Sequence, residues 1–414
     1  MTEAAPTAPG ARVLILAVDG LDLAHWLRGA DEGRLLWTAT LLAGGLQAAV
    51  RWPPPSAPAA RWATLATGVT ADRHGISSSH ALRPCGLLVE PVGAADLRCP
   101  PLWQQAWRAG QVARVVGWPA SLGTTLPAHA PAGSALVADG FALAGPGSHR
   151  CWPLAPGSVA PRAERALVRA ARMHPFDARP EGLQPLIGGF DEATQVALRA
   201  SAADLLAGWS SVHNLGVHWA AMADWRLLML RLDGLRQWRR EATALGVSDE
   251  DAEAPWQGFL DMMIGRYLEL ISPHAHLLLV SDGAADRGAD RGADRGADGG
   301  LVLSGPGVAP GKRPAPVHAA DIAGAVRSLL GLEGPAAATA ASAEAEDESQ
   351  RCLQALQATA QTDDAALQWL AAQGTPPAPT DALRRHAQSV QDVSLAGWQA
   401  ARLARQRRGG THSA

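Results

Sequence analysis

Three largely apolar runs that each end in an aspartate constrain this chain more than any other feature. Val13 to Val18 is followed by Asp19 and Gly20, Leu227 to Leu232 by Asp233, and His276 to Val280 by Ser281 and Asp282. Runs this short do not make a helix, and they are too evenly apolar for a strand with one wet face, so they predict central parallel strands buried on both sides. In open α/β sheets ligands bind beyond the carboxyl ends of such strands. The three carboxylates then share one edge, where they raise one another's pKa and repel unless a cation neutralises them. Metal binding is the chemistry this pattern predicts; three unrelated strand-end turns, or Asp19 as the cap of the next helix, are the blander readings.

Composition narrows the class. With 414 residues, 47% hydrophobic and 18% charged, the chain can bury one large core, and no apolar stretch reaches the ~18 residues of a membrane span. The net charge of -3 and the scattered arginines give no stripe for nucleic acid. MTEAAPTAPGA at the amino terminus lacks the charged and apolar regions of a secretory signal, so a cytoplasmic location is expected. Cys85, Cys99, Cys151 and Cys352 have no metal-type spacing and are expected to be free thiols.

Along the chain, a helix is expected around 32–43, then the Pro-rich stretch Arg51–Gly68, in which Ser56 to Ala59 would start a helix ending at Gly68. A hydroxyl at Ser56, near the positive end of that helix, is placed to meet an anion, although serine is also an ordinary cap there. Ala71–Ile76 reads as a turn, Pro101–Ala109 as a helix and Val112–Gly117 as a strand, with 121–161 rich in loops. Helical periods at Ala163–Met173 and Ala193–Met222 predict an insertion over the sheet, about 160–222. A helix over Trp256–Ile271 precedes the strand that ends at Asp282. The repeat ADRGADRGADRGADGG at 285–300 has no apolar residue larger than Ala and predicts a flexible loop. Leu301–Ser304 resumes as a strand, and Asp321 is expected to cap a helix running to Leu330. Residues 333–348 read as a linker by composition, and 349–371 and 380–407 are expected to form a helical hairpin.

The ordered segments VLILAVDGLD, RWATLATGVTADRHGI, VVGWPA, CWPLAPGSV, the strand ending in Asp233, LLLVSD, LVLSGPGV and AADIAGAVRSLLGL resemble the alkaline phosphatase superfamily. Within it they are similar to bacterial type I phosphodiesterase/nucleotide pyrophosphatase proteins with a short tetratricopeptide-like tail, over about residues 12–332. The resemblance implies a three-layer α/β/α sandwich of alkaline phosphatase type, with the helical insertion and the C-terminal helical hairpin. It also implies a two-metal phosphoryl-transfer site with a Ser or Thr nucleophile. Asp19 falls on the first metal-binding aspartate, Asp233 on the aspartate of an Asp-x-x-x-His pair, and Asp282 on that of a Ser-Asp-His-Gly motif.

The departures weigh as much as the matches. Gln237 stands where the histidine partner of Asp233 is expected, Gly283 follows Asp282 directly, and the repeat occupies the place of the last histidine. Pro58 stands where the nucleophile is expected, and Ser56 substitutes only if the loop is two residues longer. His274 and His276 begin the strand that ends at Asp282, on the opposite edge, and neither His25 nor His318 has ligand spacing. Three aspartates without histidines suit at most one weakly held Mg, Mn or Ca ion rather than two zinc sites. The favoured expectation is therefore a pseudoenzyme of this superfamily that binds a phosphate ester, or a protein partner through its C-terminal helices. The alternative is an active metal-dependent phosphoester hydrolase with Ser56 as nucleophile, Zn, Mn or Mg as cofactor, and Asp19, Asp233, Asp282 and Gln237 as ligands.

Overall fold

In the computed structural model of the protein, residues 11–53, 57–82, 89–142, 152–271, 273–283, 299–313 and 315–332 are described. The elements in order are β1 (Arg12–Val18), α1 (Leu23–Asp31), α2 (Leu36–Ala43), β2 (Gly45–Arg51), α3 (Pro58–Thr67), α4 (Ala71–His74), β3 (His80–Leu82), β4 (Val89–Pro91), α5 (Leu102–Arg108), β5 (Ala113–Trp118), β6 (Ala135–Ala138) and β7 (Val159–Ala160). They continue with α6 (Arg165–Ala171), α7 (Pro180–Ile187), α8 (Glu192–Ala220), β8 (Leu227–Leu232), α9 (Leu235–Ala244), α10 (Asp249–Ile271), β9 (Ala275–Ser281), β10 (Gly299–Ser304), β11 (Gly311–Lys312), β12 (Val317–His318) and α11 (Ala319–Leu330).

One sheet runs β11-β2-β10-β9-β1-β8-β5-β6-β7, with β12 also paired to β2. β1 lies at its centre, parallel to β8 on one side and β9 on the other. β5 and β6 extend the parallel block, and β10 returns antiparallel between β9 and β2.

The alternation within β1 explains its evenly apolar sequence. Val13, Ile15 and Ala17 face a layer built from α3, α5 and α11, whereas Leu14, Leu16 and Val18 face the layer of α1, α2, α8, α9 and α10. Successive strand side chains point to opposite faces, so a strand covered on both sides has no place for a polar residue. Each fully buried Leu, Ile or Val there contributes on the order of 1.5–3 kcal/mol. The expected three-layer α/β/α architecture is the observed one.

Several local expectations are corrected. The helix expected over 32–43 is α2, which starts at Leu36; α1 before it had no reading, and it is capped by Asp22, whose carboxylate accepts from the His25 amide at 3.0 Å. Helix α3 spans Pro58–Thr67 and closes on Gly68, as its sequence implied. The turn at Ala71–Ile76 contains a short helix, and the loop-rich 121–161 contains β6, whose four residues are too few to show a period. Strand β2 and helix α9 had no reading at all. Asp321 lies in the first turn of α11, whose cap residue is His318. Cys99 is a free thiol. Ser56, Cys85, Cys151, Cys352, residues 285–298 of the repeat, and the linker and tail from 333 onward lie outside the described residues.

Candidate active site

Parallel register places the three expected aspartates on one edge. Val18 pairs with Leu232 on one side and Ser281 on the other, so Asp19, Asp233 and Asp282 each continue from the same level of three adjacent strands. Because Asp22 caps α1, Asp19 is not needed at the helix start. It is 6% exposed and Asp282 is fully buried, whereas the Asp233 side chain is about half exposed.

Gly20 makes the tight junction possible. Its φ of +82° is a left-handed conformation, and a Cβ there would stand 3.0 Å from that of Arg236. The turn aims the Gly20 amide at Asp282, whose Oδ1 accepts from it at 2.8 Å. Ser281 braces the same junction, donating to the Leu21 carbonyl at 2.7 Å and accepting from the Gly283 amide at 3.0 Å.

Guanidinium groups meet the carboxylates. Arg236, in the first turn of α9, donates from one nitrogen to Asp19 Oδ1 at 2.8 Å and to Asp282 Oδ2 at 2.7 Å. Arg231, from inside β8, reaches Asp19 Oδ2 at 2.9 Å and Asp233 Oδ2 at 3.1 Å. Arg61, from α3 on the other face of the sheet, contacts the Asp282 carbonyl at 3.1 Å and its Oδ2 at 3.4 Å. Arg239, one turn beyond Arg236, donates to the Gly20 carbonyl and pairs with buried Glu253 at 3.0 Å.

These contacts set the protonation states. Burial by itself raises the Asp19 carboxyl, but Arg231 and Arg236 outweigh it and hold Asp19 below the usual carboxylate range. Asp282 goes the other way: burial, then the nearby Asp19 charge, push it up to about 7 despite Arg236 and Arg61. A fourth carboxylate, Asp139 at the end of β6, is raised to about 6 by burial, with Arg231 opposing and Asp233 adding to the shift. Arg231 is buried, yet Asp233 and Asp19 keep it firmly protonated.

Gln237 is not brought to this cluster. One residue advances a helix by about 100°, so Arg236 faces the sheet edge and Gln237 faces solvent, where its amide donates to Glu241. His276, His25 and His74 are also elsewhere. His276 is buried at the far end of β9 with Nε2 3.0 Å from the Pro306 carbonyl, and His25 packs against Gln257 at 2.9 Å. His74 of the DRHG segment is buried, its Nε2 3.1 Å from the Thr64 hydroxyl. Burial lowers its pKa.

Two divalent metals do not fit these residues. Both oxygens of Asp19 and both of Asp282 are taken by guanidinium or backbone N–H donors, and the cations a metal would supply are already present as arginine heads. Among the described residues, no group of three or more His, Cys, Asp or Glu is placed to hold a metal ion. The arginines were the unread signal. An arginine in the buried strand LLMLRL needs a carboxylate partner, since charged side chains are almost never fully buried unpaired.

The sequence model described as type I phosphodiesterase / nucleotide pyrophosphatase matches residues 13–293. No curated protein matches the chain by sequence. Among solved structures, murine ectonucleotide pyrophosphatase / phosphodiesterase 5 in complex with AMP aligns at 12% identity and a TM-score of 0.44, over 78% of this chain and 96% of that one. A 2-O GAG sulfatase aligns at 11% identity and a TM-score of 0.47, over 79% and 72% of the two chains. Phosphonoacetate hydrolase from Sinorhizobium meliloti 1021, in complex with phosphonoformate, aligns at 17% identity and a TM-score of 0.38, over 66% and 56%.

Proposed function

The chain belongs to the type I phosphodiesterase / nucleotide pyrophosphatase family, whose match covers residues 13–293, and we propose that it is a non-catalytic member of it. One observation carries the reading. The Asp19 and Asp282 carboxylates, which the family resemblance assigns to metal, have Arg231, Arg236 and the Gly20 amide as their partners. A hydrolase of this kind needs a cation that polarises the phosphoryl oxygens and lowers the pKa of its nucleophile. A guanidinium bound to two aspartates neutralises them but generates no nucleophile. Gln237 on the solvent face, and Gly283 in the sequence place where the resemblance expects a histidine after Asp282, point the same way. The ligand class that the family implies is a phosphate ester, bound without turnover.

The test is a hydrolysis assay with bis(p-nitrophenyl) phosphate and with a nucleotide pyrophosphate, each with added Zn, Mn or Mg, beside an Asp19→Ala control. Turnover no faster than the control is the expected result. Metal-dependent turnover that the control lacks would overturn the reading and make Ser56 the nucleophile to examine.

A further inference from the structure

We propose that Arg236 is this chain's built-in substitute for a divalent cation between β1 and β9, so that the native chain takes up no metal there and a chain lacking that head does. The argument begins with register. Asp19 and Asp282 each follow one residue of the Val18–Ser281 pair, so two carboxylates leave adjacent parallel strands side by side in a buried place. Two such groups stay ionised together only with a positive charge between them.

The outer oxygens are already committed. Asp19 Oδ2 accepts from Arg231 and Asp282 Oδ1 from the Gly20 amide. The other two oxygens, Asp19 Oδ1 and Asp282 Oδ2, share one Arg236 nitrogen at 2.8 and 2.7 Å, with Arg61 more distant at 3.4 Å. That nitrogen does what a bridging ion would do. Helix α9 delivers it from a fixed direction, because Leu235, Trp238 and Ala242 are buried on its core face and hold its rotation.

If the Arg236 head is removed, Asp19 Oδ1 loses its donor and Asp282 Oδ2 keeps only the longer Arg61 contact. Paired carboxylate oxygens completed by water are ligands for a hard cation such as Mn²⁺ or Mg²⁺. The inference rests on the non-catalytic reading only in taking the native site to be metal-free.

The experiment is calorimetry of the full chain in EDTA and in excess MnCl2. The wild-type melting temperature should be the same in both. Arg236→Ala should melt about 5–10 °C lower in EDTA, as expected for breaking a buried ion pair in a domain of this size, and Mn²⁺ should recover part of the loss. Adding Asp282→Asn to Arg236→Ala should remove both the deficit and the Mn²⁺ response, since one carboxylate then needs no second cation.

A wild-type shift in Mn²⁺, or a folded Arg236→Ala that ignores Mn²⁺, would overturn the inference. Should Arg236→Ala not fold in either buffer, the soluble yield of the double variant decides: recovery supports the countercharge role and no recovery sinks it. Phosphodiester turnover by the wild type would instead strike the non-catalytic reading, whatever the calorimetry of the variants gives.

Discussion

Two arginine–aspartate assemblies brace opposite edges of the same sheet. At the amino edge Arg114, near the start of β5, holds Asp224 through bonds of 3.0 and 2.8 Å and donates to the Gly133 carbonyl at 2.7 Å. Its aspartate is about half exposed. At the carboxyl edge Arg236 serves two carboxylates at once, Arg231 serves one of these and Asp233, and Asp282 is fully buried. The amino-edge pair joins one cation to one anion beside water, which screens whatever is lost. The two buried carboxylates of the carboxyl-edge network, Asp19 and Asp282, cannot be relieved by solvent, so losing either of them or an arginine they share costs more.

The contrast predicts a graded series. Asp19→Ala should be the most damaging change, because it removes a shared partner of Arg231 and Arg236. A loss of about 3–5 kcal/mol in urea unfolding at neutral pH is expected, and a loss below that of Asp224→Ala would erase the distinction between the edges.

The pH dependence of Asp282→Asn comes next. The Asp282 carboxyl is raised to about 7 in the folded chain. Between its unfolded value near 4 and that folded value, the native chain keeps a proton that the unfolded chain gives up. Its contribution to stability is thus fully present at low pH and is lost as pH rises through this window. Asp282→Asn has no such proton, so its stability relative to the wild type should climb across that range, by roughly 2–4 kcal/mol at most. A flat difference from acid to neutral pH would show that Asp282 is ionised throughout.

Gly20→Ala sharpens the comparison through the backbone. It forces a side chain into a left-handed φ of +82° and against Arg236 at 3.0 Å, so a loss of about 1–3 kcal/mol is expected. Repeating it on Arg236→Ala should give the same loss, since the crowding atoms, the Cβ, Cα and amide nitrogen of residue 236, are all kept in alanine. Asp224→Ala should have the smallest effect, about 1 kcal/mol or less, and added salt should reduce it further. Salt should change the Asp19→Ala loss much less, and equal sensitivity at both edges would mean that the carboxyl edge is wetter than its burial implies.

The family match and the observed sheet agree with what the apolar runs and ordered motifs imply, because both rest on patterns written within a few consecutive residues. The site was legible only by half. Asp19, Asp233 and Asp282 could be placed on one edge from three strand ends, yet Gln237 was grouped with them by spacing from Asp233, while Arg236 one residue earlier is the side chain that arrives. Helix α9 has only Leu235, Trp238 and Ala242 as buried apolar anchors amid polar residues, so its rotation could not be read until it packed.

The sequence by itself determined which strands are central, where they end and which anions gather at that end. Strand direction and side-chain alternation are local properties, and they carry that information without reference to distant residues. What neutralises those anions was decided only in three dimensions. Arg61, Arg231 and Arg236 come from three elements, on both faces of the sheet and within it, and converge through side-chain reach across more than 200 residues of chain separation. Nothing in local spacing distinguishes a carboxylate awaiting a metal from one already held by a guanidinium, because that difference lies in which donor the packed helices bring within about 3 Å.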